Sequence, residues 1–344
     1  MDKVIYGCDE MGQDDSEKVG KKCANLGELT SAGFRVPPGF AVSLEGYGRF
    51  MNETGVRKRI DEYLSSFDAD PSRTSDMPRY EEASVAIREM VEETPVPADI
   101  DADIRDRYQV LCEAAGGTDV PVAVRSAGPA SHPGQYESYL HIRGADDVVA
   151  GVRRVWSSSF NQRSLIARAR QGLDVVFDPI GVAVLQMVDA KAAGVMFTTN
   201  PASGDAGQIY IESNWGLGES VVGGEVTPDS FLVAKAGPEI LERTISEKKL
   251  WFVVDPATGK PAYQEVPEDK KKAPTITDEE LLEIARVGIK IEEHFGGAQD
   301  IEWAVDVKGA VPESIVFLQT RPAKHVAEKK DPIDQALDLM MRGF

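Results

Sequence analysis

Apolar positions along this chain recur with two different periods, and the change between them divides it. Lys21 to Ala32 (KKCANLGELTSA) has helix-forming composition and stops at Gly33, a residue suited to the left-handed turn that ends helices. Pro37 and Pro38 break that pattern, and Gly39–Ser43 (GFAVS) reads as a short strand. Ser43 is placed to cap a helix running to about Phe67, and the polar, proline-interrupted stretch from Asp68 to Met77 reads as a loop. Helical patterns follow over Arg79–Glu93 and Ala98–Ala115. Pro121–Ser126 (PVAVRS) reads as a strand, and the small-residue run AGPASHPG after it as a loop. Asp146–Gln171 is helical again, with Val149, Val152, Val155, Trp156 and Phe160 at helix-like spacing.

From Pro179 the texture becomes β. GVAVLQMV, GVMFTT, QIYIES, SFLVA and WFVV are short runs of β-branched and apolar residues between Gly, Pro or charged clusters. A helix near Asp278–Phe295 and two last strands, DIEWAVD and SIVFLQT, complete the body. The pattern predicts an α+β fold of two lobes with a cleft between them, residues 1–180 and 181–328. The last stretch, 329–344, reads as an amphipathic tail or linker, because Ile333, Leu337, Met340 and Phe344 recur at helical spacing.

Composition narrows the function classes. The chain has 344 residues with 38 Lys+Arg and 57 Asp+Glu, a formal charge of −19. That balance argues against a general nucleic-acid binder. No apolar run approaches the roughly 20 residues needed to span a bilayer, and MDKVIYGCDEMGQDD has no apolar signal region. A cytoplasmic location is the expectation. Cys8, Cys23 and Cys112 form no C-x-x-C pair and read as reduced thiols, with Cys23 of interest beside a lysine. His132, His141, His294 and His325 show no metal-binding spacing.

Three segments carry candidate chemistry. Val19-Gly-Lys-Lys22 enters a helix, where free N–H groups and the helix dipole favour anions and a lysine adds a point charge. Val124-Arg-Ser126 precedes the loop 127–134, an arrangement in which an arginine and loop amides hold phosphate. In Asp300-Ile-Glu-Trp303 and Phe317-Leu-Gln-Thr-Arg-Pro322, strand alternation puts Asp300 with Glu302 and Gln319 with Arg321 on one face each. A carboxylate, an amide oxygen and a guanidinium converging there suit Mg²⁺ and a transferring phosphoryl group.

Taken in order, VGKKCANLGE (19–28), RVPPGFAVS (35–43), VAVRS…HPGQYESYL (122–140), VWSSSFNQRS (155–164), GVMFTTNPASG (194–204), IESNWGLGESVVGGEVTPD (211–229), QDIEWA (299–304) and FLQTRP (317–322) resemble the N-terminal nucleotide-binding domain of the phosphoenolpyruvate synthase and pyruvate phosphate dikinase family. The resemblance covers roughly residues 3 to 325 and implies an ATP-grasp fold. It implies that Lys22 and Arg125 contact ATP phosphates, that Gly128 to Gly134, with Ser131, covers them, and that Gln186, Met187 and Val188 border the adenine. Glu212 is implied as a nucleotide-side carboxylate, Glu302 and Gln319 as Mg²⁺-nucleotide ligands, and Arg321 as the catalytic arginine. Lys21 and Cys23 depart from the family pattern, which has a second glycine at the first position and Asn or Gly at the second.

In this family ATP gives its β-phosphoryl to a histidine, leaving AMP and phosphate. None of the four histidines lies in the family's T-S-H-type setting. The resemblance therefore implies a separate phosphohistidine-domain subunit as partner and a small-molecule phosphoryl acceptor. Among the family's split members, phenylphosphate synthase offers the nearest precedent, making a phenol the expected acceptor. The alternatives are a subunit of a split phosphoenolpyruvate synthase acting on pyruvate, and a non-catalytic regulator that senses nucleotide. ATP and Mg²⁺ are the expected cofactors, with no nucleic-acid or membrane partner.

Overall fold

The computed structural model describes residues 3–128 and 136–323. Ser131, His132, Gly134, His325 and the tail at 329–344 lie outside the described residues. The chain divides into two compact units: residues 1–188 together with 254–262, and residues 189–253 together with 263–344.

In chain order the first unit comprises β1 (Ile5–Gly7), α1 (Ser16–Val19), α2 (Lys21–Ser31), β2 (Gly39–Val42), α3 (Leu44–Glu53), α4 (Val56–Leu64), α5 (Met77–Glu93) and α6 (Ala98–Ala114). It continues with β3 (Val122–Ala127), β4 (Ser138–Ile142), α7 (Ala145–Ser158), α8 (Gln162–Gln171) and β5 (Gly181–Gln186). The strands form one antiparallel sheet in the order β1-β2-β5-β3-β4. Alternation splits their side chains between two cores. Phe40, Val42, Val122, Val124, Val182 and Val184 face the large helical layer. Ala41, Ala127, Ala183 and Leu185 face the other way, toward Val19, Cys23, Ala24 and Leu26 of α1 and α2.

Three expectations change here. The helix expected to run to Phe67 breaks at Thr54–Gly55, where Gly55 adopts φ 74° and starts α4. The helix expected over Asp146–Gln171 breaks at Ser159–Asn161, because the Asn161 side chain accepts from the Ser164 amide at 2.9 Å and caps a new helix. The expected division near residue 180 falls instead after Val188. The reason is β5, which lies between β2 and β3 and pairs with both. The short strands β1 and β4 carried too little periodicity to be read.

The second unit comprises β6 (Ala190–Phe197), β7 (Gln208–Trp215), α9 (Glu219–Val222), β8 (Asp229–Ala234), β9 (Glu239–Thr244), β10 (Leu250–Val254), β11 (Pro261–Glu265), α10 (Asp278–Phe295), β12 (Gln299–Asp306) and β13 (Ile315–Pro322). Six of these strands form an antiparallel sheet in the order β13-β12-β6-β7-β8-β9, and β10 pairs with β11. Thr277 and Glu280 close a reciprocal capping box at the start of α10, and Gly296 ends it at φ 72°. The buried residues of α10 other than its capping Glu280 (Leu281, Ile284, Ala285, Gly288 and Ile291) form one stripe. Gly288 lets the helix lie directly on Met196, since a Cβ there would stand 2.4 Å from the Met196 methyl.

A fully buried ion pair ties this unit together. Lys248 Nζ lies 2.5 Å from Asp229 Oδ1, and both side chains are at 0% exposure. The Ser246 amide donates to the same oxygen at 3.0 Å, while the Thr275 amide and hydroxyl donate to Oδ2 at 2.9 and 3.0 Å. A carboxylate satisfied on every side offsets the desolvation of the charge, but only while the ammonium remains. Replacing Lys248 with Met is expected to lower the unfolding free energy by about 3–5 kcal/mol, read as an earlier midpoint in urea. An unchanged midpoint would show that the pair contributes nothing.

Candidate functional site

In the first unit the approach of α2 to the sheet is set by residues without side-chain bulk. Gly20 adopts φ 81°, and a Cβ there would lie 2.0 Å from the Ala127 carbonyl oxygen. A Cβ on Gly181 would meet the Val19 carbonyl oxygen at 2.4 Å. The turn into α2 therefore crosses directly over β3 and β5, and the Lys21 amide donates to the Gly128 carbonyl at 3.1 Å. Strand alternation puts Arg125 on the same side of β3 as Ala127, which is the α2 side. Lys22, half-buried at the second position of α2, thus shares a face of the sheet with Arg125.

The two departures from the family pattern resolve differently. Lys21 is exposed and contributes its backbone amide to the Gly128 contact, so its side chain adds no bulk inside the turn. Cys23 is fully buried among Cys8, Met11, Val19 and Ala24, and burial pushes its thiol far above the ordinary range. Burial likewise pushes the Cys8 thiol up to about 12. Cys23 is a core residue and not a reactive thiol. Gln186, Met187 and Val188 leave the end of β5. The Gln186 amide donates to the Pro38 carbonyl at 2.9 Å, and that of Met187 to the Pro121 carbonyl at 2.8 Å. His141, at the edge in β4, donates from Nδ1 to the Gly259 carbonyl at 2.7 Å.

The second unit brings its own candidates into one line. Across the sheet Glu212 pairs with Val195, Val195 with Glu302, and Glu302 with Gln319. Two residues along, Tyr210, Phe197, Asp300 and Arg321 make a parallel row. Cross-strand partners project from the same face, so Glu212, Glu302, Gln319 and Arg321 share it. The opposite face holds Met196, Ile211, Ile301 and Trp303, all fully buried. Gly194 is required there, because a Cβ would stand 1.8 Å from the Glu212 carbonyl oxygen and 2.8 Å from the Trp303 ring.

Asp300 joins this group although the sequence reading did not assign it a role. Arg321 donates through Nε at 2.8 Å and Nη2 at 2.6 Å, both to Asp300 Oδ2. Burial pushes the Asp300 carboxyl above its ordinary range, the Arg321 guanidinium pulls it back, and Glu302 pushes it further up. The signal was present in the alternation of Asp300 with Glu302 and of Gln319 with Arg321; what it lacked was the register joining the two strands. Tyr210 donates its hydroxyl to Glu212 Oε1 at 3.1 Å. The pair Glu302–Gln319 offers two oxygen donors side by side, a set that suits a hard cation completed by water and phosphate oxygens. Among the described residues no group of three or more His, Cys, Asp or Glu side chains could hold a metal ion by itself.

The sequence profile of the pyruvate phosphate dikinase AMP/ATP-binding domain matches residues 16–339. The chain belongs to this family. It is the nucleotide-binding domain of the phosphoenolpyruvate synthase and dikinase group. It is 37% identical over its whole length to a probable phosphoenolpyruvate synthase of Methanothermobacter thermautotrophicus, of which it covers 49%. A protein of the same description from Methanocaldococcus jannaschii is 39% identical over 93% of the chain and 26% of that protein. The phosphoenolpyruvate synthase of Aeropyrum pernix is 37% identical over 99% of the chain and 46% of that protein. The chain thus spans about half or less of the length of these curated relatives. Among solved structures, an L-amino acid ligase from Bacillus licheniformis matches at a TM-score of 0.26 and 12% identity, over 79% of this chain and 56% of that one, too distant to carry any argument about the site. Among the described residues no helix is long and apolar enough to cross a membrane.

The burial of all three cysteines gives a direct test. Ellman's reagent is expected to titrate fewer than one thiol per native chain and all three after denaturation. Rapid labelling of Cys23 in the native chain would overturn the assignment.

Proposed function

We propose that this domain binds MgATP and directs its β-phosphoryl to a histidine of a phosphohistidine partner, with AMP and inorganic phosphate as the other products. The balance is a break between the α- and β-phosphates, formation of a β-phosphorus–nitrogen bond, and release of the γ-phosphoryl to water. Such a transfer needs charge neutralisation and positioning more than covalent help from the protein. The observation that carries the reading is the row Glu212–Val195–Glu302–Gln319 beside the Asp300–Arg321 pair, in a chain of this family.

In this proposal Lys22 and Arg125 take phosphate oxygens, with Gly128, Ser131 and Gly134 in the covering loop. Gln186, Met187 and Val188 border the base, and Glu212 lies on the nucleotide side. Glu302 and Gln319 hold Mg²⁺, which would neutralise charge on the phosphates, while Arg321 meets the oxygens of the transferring group. The ATP-grasp arrangement and an intracellular setting belong to the same reading. The final acceptor is a small molecule. The names of the relatives support pyruvate, whereas phenol rests on the resemblance to phenylphosphate synthase alone. We read the phosphohistidine partner as a separate subunit, and the experiment therefore supplies it in trans.

The chain is mixed with a phosphohistidine-domain protein supplied in trans and with ATP labelled at the β- or the γ-phosphate. Label from the β position is expected on histidine, label from the γ position in inorganic phosphate, and AMP as the nucleotide product. Glu302→Ala and Arg321→Ala are each expected to slow the transfer by about 10²–10³-fold. Formation of ADP, or transfer insensitive to both substitutions, would overturn the reading. MgATP binding without any transfer would favour the nucleotide-sensing regulator instead. Adding pyruvate or phenol to the labelled partner then identifies which acceptor discharges it.

A further inference from the structure

Glu137 stands where the chain enters β4, and two groups from the helical layer and one from β4 itself meet it. Arg88 of α5 makes a two-pronged pair with it, Nη1 to Oε1 at 2.7 Å and Nη2 to Oε2 at 2.8 Å, across 49 residues of sequence. The Tyr139 hydroxyl donates to Oε2, and the Arg154 guanidinium lies 4.7 Å from the centre of the Tyr139 ring. The Glu137 amide donates to Ser158 Oγ at 3.2 Å. One residue earlier, the Tyr136 hydroxyl donates to Asp178 Oδ2 at 2.6 Å, and Nη1 of the buried Arg168 lies 3.7 Å from the same oxygen. Two consecutive residues are thus anchored by charged partners on distant elements. An ordinary strand entry needs no such arrangement.

What lies next to this anchor gives it a purpose. Ser138 pairs across the sheet with Arg125, and Tyr139 with Val124. Alternation turns Glu137 and Tyr139 toward the helices and Ser138 toward the face that carries Arg125. Ser138 is exposed and small, so it leaves room beside the arginine and sets no position by its own packing. The height of β4 against β3 at this point is therefore fixed from the helical side. A guanidinium that binds phosphate through a planar fork depends on such placement, because small displacements misalign both bonds.

We propose that Glu137, held by Arg88, is a positioning residue for Arg125: it sets the strand beside that arginine and so the affinity for the phosphates of MgATP. This rests on the nucleotide reading of the Lys22–Arg125 face. Arg88 and Glu137 touch no substrate in this scheme and act through the backbone of β4.

The test is a double-mutant cycle on the full chain with calorimetry of MgATP binding. Glu137 has 37% of its side chain exposed, so Glu137→Gln is expected to fold with an unchanged circular dichroism spectrum. Glu137→Gln and, independently, Arg88→Lys are each expected to weaken MgATP about tenfold. In an Arg125→Lys background, where no fork remains to be aligned, Glu137→Gln is expected to change the affinity less than twofold. An affinity unchanged by Glu137→Gln, or the same tenfold loss in both backgrounds, overturns the inference and leaves the nucleotide reading standing. Absence of MgATP binding to the unaltered chain overturns the nucleotide reading and this inference with it.

Discussion

Cross-strand register at Val195 governs the second unit. Because antiparallel partners project from one face, the pairing of Val195 with Glu212 on one side and with Glu302 on the other determines which polar side chains stand together. A slip of one residue would send Glu302 toward α10 and bring Trp303 to the polar face. Burial forbids the slip: Met196, Ile211, Ile301 and Trp303 fill the opposite side completely, and Gly194 leaves room for the Trp303 ring. The apolar face thus holds the polar row in place. A bulge between Glu302 and Trp303 completes the arrangement by matching Gln319 to Glu302 while Phe317 meets Trp303.

The first unit solves a different problem, bringing a lysine on a helix and an arginine on a strand to the same face. Its means is closeness of backbones. Gly20, Gly181, Ala127 and Ala183 remove the side chains that would otherwise keep α2 away from the sheet. The small core beneath α2 follows from this, and it is where Cys8 and Cys23 sit. Their burial is a packing consequence of the approach that places Lys22, and thiols in such surroundings behave as small hydrophobes.

Much of this was legible before any coordinates, and the gaps have physical causes. α10 was legible from local pattern alone: its eighteen residues carry an apolar stripe, and the threonine before it and the glycine after it are local boundary residues. The alternation in Asp300–Trp303 and Gln319–Arg321 likewise displayed its polar face. The break at Gly55 was hidden because a single left-handed residue interrupts a helix without altering the apolar pattern on either side. The division after Val188 was hidden for a longer-range reason: β5 has the same β-rich texture as the strands of the second unit, and its partners β2 and β3 are far away in sequence. Asp300 escaped assignment because its role depends on pairing with Arg321, 21 residues further on, and alternation within a single strand does not show that register.

The Asp300–Arg321 pair raises an electrostatic question that its geometry answers. In a chain of net charge −19, an arginine already bound to a carboxylate would look neutralised. The two bonds, however, use Nε and one hydrogen of Nη2, and both end on the same oxygen of Asp300. A guanidinium has five donors, so three remain on the side turned from that oxygen. Asp300 therefore fixes the plane of the fork while leaving donors for a second anion. Its carboxyl is itself costly to keep charged, since burial and Glu302 both press toward protonation.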